Sequence, residues 1–194
     1  MKNKMNNYHS SFENRFANFL YTQNTYPSVM ADEYSTALKL CDLQENNIFI
    51  NIPADFNSLE HLLEDSIKYF PLEINKNFSS LSNYTYCSSL NDLPFRNQSV
   101  DVILSLASLH HSSEEERMKF YNECLRLTSK LVIGDVILDS KQDRWLNCFV
   151  NNKYNSSGHI GNFFSEQDKH LLEQCGFDVE IKKVKYKYNI FYIY

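Results

Sequence analysis

The chain has 194 residues and a formal net charge of −5. That suffices for one domain with its own core, and it lacks the basic excess that nucleic-acid-binding domains carry. Glycine occurs only 4 times, where about 7% is usual, and no Gly-x-Gly occurs, which excludes a P-loop and the standard G-x-G-x-x-G dinucleotide turn.

The first nine residues are polar and contain no apolar core of a signal peptide. Ser10 and Ser11 can cap a short helix with Phe12, Phe16, Phe19 and Leu20 on one side. Pro27 suits the first turn of a second helix, along which Met30, Tyr34, Ala37, Leu38 and Cys41 follow helical spacing. These helices, residues 1–44, precede an α/β unit spanning 45–194. The first strand is the apolar run 48–52, stopped by Pro53. Leu59, Leu62, Leu63 and Ile67 then predict a helix, followed by strands at 69–73, 84–87 and 100–106.

Ser113-Glu114-Glu115-Glu116 forms a capping box ahead of a helix whose predicted inner face is Met118, Tyr121, Cys124 and Leu125. A fifth strand covers 130–137. A last helix has Ser165 as N-cap, Asp168 at its third position and Gly176 just past its end. Strands at 177–181 and 186–194 close the chain. Strands alternating with helices predict βαβ units and a mostly parallel seven-stranded sheet with helices on both faces. The last two strands, with no helix between them, predict an antiparallel hairpin at one edge.

Five cysteines, widely spaced and without C-x-x-C, read as reduced thiols in a cytoplasmic protein. No run reaches the ~20 apolar residues of a membrane span. Neither nucleic acid nor membrane is expected as a partner. The histidines show no ligand spacing that would support a metal site.

The segment 92–111, DLPFRNQSVDVILSLASLHH, resembles the middle of class I S-adenosylmethionine-dependent methyltransferases, nearest to the small-molecule branch that includes ubiquinone- and menaquinone-biosynthesis enzymes. Leu93-Pro94-Phe95, Ser99-Val100-Asp101-Val102 and Leu109-His110-His111 match in order and spacing. NECLRL (122–127), LVIGDV (131–136) and the 158–177 segment ending in Gly-Phe extend the likeness over roughly residues 45–185. The resemblance implies a Rossmann-like methyltransferase fold with S-adenosylmethionine bound at the carboxyl ends of the first strands.

On that register the first strand ends at Asn51, where the family has an acid, and Pro53, Ala54 and Asp55 stand where it has a Gly-x-Gly loop. Pro53 offers no N–H, and neither Pro53 nor Asp55 gives the close approach of glycine. Glu73 ends the second strand, where the family's acid takes both ribose hydroxyls. The alternative for Glu73 is a solvated strand-end carboxylate. Ser89 and Leu90 fall near the adenine position, and Leu106 ends the fourth strand. His110, His111 and His159 are the candidate general bases beside the acceptor, histidine being the side chain that titrates near neutrality. Each is equally readable as a capping or packing residue. The N-terminal helices would form a lid over the cofactor or simply pack.

Two readings follow. One is a divergent methyltransferase with a small-molecule acceptor and a rebuilt cofactor loop. The other is a catalytically degenerate protein of the same fold that serves as a binding or scaffolding partner, or does other chemistry.

Overall fold

The computed structural model describes residues 36–52, 59, 62–74, 85–87, 89–106, 108–109, 112–136, 166–183 and 188–193. The strands are β1 (Ile48–Asn51), β2 (Lys68–Glu73), β3 (Thr85–Tyr86), β4 (Val102–Leu106), β5 (Leu131–Val136), β6 (Val179–Lys183) and β7 (Tyr188–Ile193). The long helices are α1 (Glu114–Leu127) and α2 (Glu166–Cys175), and residues 36–41 are also helical.

Among the described residues one sheet forms, in the order β3-β2-β1-β4-β5-β7-β6. β1 to β5 are parallel neighbours in that order, and β7 runs antiparallel between β5 and β6. The predicted parallel sheet and its antiparallel edge hairpin are therefore both present. β4 is buried at all five positions, as a central parallel strand covered on both faces must be.

Two apolar clusters flank the sheet. Ile50, Ile103, Leu131 and Ile133 pack with Phe120, Tyr121, Leu127 and Leu172 of α1 and α2. Phe49, Val102, Leu104 and Val132 pack with Ala37, Leu40 and Cys41 on the other face. The predicted helical positions Ala37 and Cys41 thus lie in the core. Burial pushes the Cys41 thiol up to about 12, so it serves as a small apolar group.

α1 begins as expected. Ser113 Oγ accepts from the Glu116 N–H at 3.3 Å, and Glu116 Oε2 accepts from the Ser113 N–H at 2.7 Å. Its buried face is centred on Phe120, Tyr121, Cys124 and Leu127, however, with Met118 and Leu125 only partly covered. α2 ends as expected at Gly176, whose φ is 103°. The Gly176 N–H reaches the Glu173 carbonyl at 3.0 Å and the Phe177 N–H reaches Leu172 at 3.2 Å, the paired bonds of a Schellman ending. The predicted cap Ser165 lies outside the described residues.

One expectation needs correction. The spacing of Leu59, Leu62, Leu63 and Ile67 predicts a helix, most of whose first part lies outside the described residues. The helix does not extend to Ile67, because residues 63–67 form bends and a turn closed by the Ile67 N–H bond to Glu64 O. The Ser66 carbonyl instead accepts from Asn46 N–H, and Lys68 N–H donates to Asn47 O, which draws the chain into β2 beside β1. Leu62 is left 53% exposed.

Candidate functional site

The chain runs outward through β1, β2 and β3, then returns to lay β4 on the other side of β1. That reversal falls at the carboxyl ends of β1 and β4, the usual ligand position in an open parallel sheet. Asn51 ends β1 and pairs with Pro71 of β2 and Leu104 of β4. Glu73 ends β2, and Leu106 ends β4.

Glu73 is 2% exposed, so the solvated reading of this carboxylate is excluded. Its backbone carbonyl accepts from the Cys87 N–H at 2.9 Å, which ties β2 to the turn after β3. Burial, helped by the Glu73 charge, pushes the Cys87 thiol up to about 11. A buried carboxylate must be compensated by donors. Ser89 and Leu90 follow β3 and are half-buried, and Ser89 Oγ accepts from Asn91 N–H at 3.0 Å. Leu106 is a buried core side chain.

Asn51 is also 2% exposed. Its Nδ2 lies 3.4 Å from the Tyr69 hydroxyl oxygen, which also receives the Leu59 N–H at 3.4 Å. Among the described residues its Oδ1 has no hydrogen-bond partner. Asn51, Glu73, Ser89, Leu90 and Leu106 therefore all fall at or just beyond strand carboxyl ends. Pro53, Ala54, Asp55, His110, His111 and His159 lie outside the described residues.

The residues that carry the family likeness do different work. Asp101 sits at the opposite edge of the sheet, where its Oδ2 accepts from Ile48 N–H at 2.6 Å and aligns the start of β1 with that of β4. The Leu93-Pro94-Phe95 turn is gripped by α1. Glu123 Oε1 accepts from Leu93 N–H at 2.7 Å, and Arg126 donates to the carbonyls of Phe95 and Leu93 and to both Glu123 oxygens. Burial raises the Glu123 pKa, but the Arg126 and Leu93 hydrogen bonds outweigh it and hold the carboxyl below its ordinary value.

Sequence reasoning missed a second buried pair. Arg117 Nε is 2.7 Å from Asp168 Oδ1, and Arg117 Nη1 donates to the Ser112 carbonyl at 2.7 Å. Asp168 was legible only as an early helix position, and nothing local to Arg117 marks a partner 51 residues away. Tyr69, beside Asn51, gave no signal either.

Residues 57–131 match the Methyltransferase domain family. No curated protein sequence matches the chain. Among solved structures, an S-adenosylmethionine-dependent methyltransferase from Aquifex aeolicus is 19% identical, with 82% of this chain and 87% of that one covered and a TM-score of 0.58. A second such enzyme, from Thermotoga maritima, is 15% identical over 93% of this chain and 98% of its own, at a TM-score of 0.62. A chain in the complex of the Haloferax volcanii Trm112 methyltransferase activator with a candidate methyltransferase is 10% identical over 88% and 92%, at 0.64. The fold is that of the class I S-adenosylmethionine-dependent methyltransferases. Residues 57–131 carry the sequence signature of their methyltransferase domain.

Proposed function

We propose that the chain is a divergent S-adenosylmethionine-dependent methyltransferase acting on a small-molecule acceptor. The observation that carries this reading is Glu73, a carboxylate buried at the carboxyl end of β2, one strand from the carboxyl end of β1. A carboxylate accepts two hydroxyl donors well, which suits the vicinal diol of a ribose. The Asn51 Oδ1 one strand away, without a hydrogen-bond partner among the described residues, also fits a ligand at this edge. Ser89 and Leu90 would border the adenine, and Leu106 would form an apolar wall.

When bound, S-adenosylmethionine supplies a methyl group made electrophilic by its sulfonium. The protein's task is then alignment and proton removal. A ring nitrogen of His110, His111 or His159 would take the acceptor's proton. Residues 53–55 would approach the methionyl portion without glycine, through Ala54 and the strand end. The buried free thiols of Cys41, Cys87 and Cys124 support a cytoplasmic setting, where thiols stay reduced.

A second reading draws on residues 53–55 themselves. Pro53 removes a backbone donor, and Asp55 adds a negative charge where a ligand carboxylate would lie. On that reading the fold survives as a partner for another protein; one structural neighbour is a complex of a methyltransferase activator with a candidate methyltransferase. Calorimetry of Glu73→Ala separates the two. Methyl transfer predicts S-adenosylmethionine affinity weakened by about tenfold or more, the scale of lost charge-assisted hydrogen bonds. Affinity equal to that of the unaltered chain would remove the ribose assignment.

A further inference from the structure

We propose that β6 is a self-association edge, on which a second copy of this chain lays its own β6 antiparallel across a two-fold axis. β7 is flanked by β5 and β6, so among the described residues β6 ends the sheet and pairs with β7 alone. An edge strand presents a row of backbone N–H and C=O groups that another strand can complete. Val179 is buried in the cluster beneath α1 and α2, and Ile181 is half-buried beside it. Glu180, on the opposite face of the pleat, is exposed.

The sequence of the strand, Val179-Glu180-Ile181-Lys182-Lys183, points to the occupant. A two-fold axis normal to the sheet keeps every residue on its own face. A residue can then lie opposite only itself or one an even number of positions away. With the axis at Glu180 two glutamates face each other, and with the axis at Lys182 or Lys183 two lysines do. With the axis at Val179, Asp178 faces Glu180. Like charges directly opposite are destabilising. Only the axis at Ile181 sets no like charges across the edge. There Glu180 of each copy lies opposite Lys182 of the other, Val179 lies opposite Lys183, and Ile181 meets its counterpart. Lysine on an edge strand usually repels a neighbouring strand; with Glu180 beside it, this strand repels the other registers and admits this one. Ion pairs at an exposed edge set register more than affinity. The attraction comes from the edge hydrogen bonds and from Ile181 packing on its counterpart. Five residues a side is far below the roughly 20–30 of a standard interface, so the dimer is weak and exchanges with monomer.

Sedimentation equilibrium of the full chain tests this. The expected result is a monomer–dimer equilibrium at high micromolar chain that weakens as salt is raised. Glu180→Lys sets lysines opposite one another twice, and Lys182→Glu sets glutamates opposite one another twice. Each change weakens self-association by about tenfold or more. Mixed together, the two variants pair with each other as the unaltered chain pairs with itself, because every cross-strand pair is again of opposite charge. The double variant carrying both changes regains self-association for the same reason. Glu180→Lys alters an exposed residue, and its rescue by Lys182→Glu carries the test even where Lys182→Glu alone does not fold. A chain that stays monomeric at high micromolar concentration would overturn the proposal. So would a dimer that persists undiminished in Glu180→Lys, or a double variant that fails to regain it.

Discussion

The α1 side of the sheet and the carboxyl end of β1 treat their buried polar groups in opposite ways. Around α1, Glu123 is matched by Arg126 and the Leu93 N–H, and Arg117 by Asp168 and the Ser112 carbonyl. At the carboxyl edge, Asn51 holds one long hydrogen bond and an oxygen without a partner among the described residues. The first region spends its polar groups on holding the fold. The second keeps bonding capacity for something else. The residues that give the family likeness, Leu93 to Phe95 and Asp101, belong to the first region, while the departure at Asn51 falls on the second.

The largest expected effect comes from breaking the α1–α2 pair. Asp168→Ala leaves Arg117 buried and uncompensated, and should cost about 3–5 kcal/mol in urea denaturation. Glu123→Ala strands the Leu93 N–H and loosens Arg126, for a loss of about 2–3 kcal/mol in the same measurement. Gly176→Ala forces a side chain into a left-handed backbone, with a melting-curve loss of about 1–2 kcal/mol. These three should leave S-adenosylhomocysteine affinity unchanged wherever the variant remains folded. A parallel loss of affinity would blur the contrast between the regions.

Ser113→Ala removes the α1 cap and should cost about 1 kcal/mol. Its pH dependence has a definite sign. Hydrogen bonds from the Ser113 backbone and side chain hold the Glu116 carboxyl below its ordinary value. The folded state therefore gains stability from ionised Glu116 above the unfolded carboxyl's pKa, and loses it as pH falls through the lower folded value. The stability gap between the unaltered chain and Glu116→Gln should close in acid. The smallest effect is local to the cleft. Glu73→Gln removes a charge that helps raise the Cys87 thiol, so that pKa should fall from about 11 while burial keeps it above the ordinary value. The pH dependence of Cys87 alkylation reads this directly.

Legibility in the sequence follows the range of the interaction. The capping box at Ser113 and the ending at Gly176 are written within a few residues, and both are found in place. The strands are legible as apolar runs, but their order is not, because pairing such as Ile50 with Ile103 spans half a domain. The bends and turn at 63–67 are not legible, because apolar residues three and four apart suit a helix and a turn equally. At the candidate site, Glu73 and Asn51 could be placed by register. Only the folded chain shows that both are buried and that one end of the Asn51 amide lacks a partner among the described residues.

The most direct test of the central claim is a calorimetric titration of the unaltered chain with S-adenosylmethionine. The account predicts saturable binding with a micromolar dissociation constant. No heat at millimolar ligand would contradict it, and would mean that the departures at Asn51, Pro53 and Asp55 have closed the cleft to this cofactor.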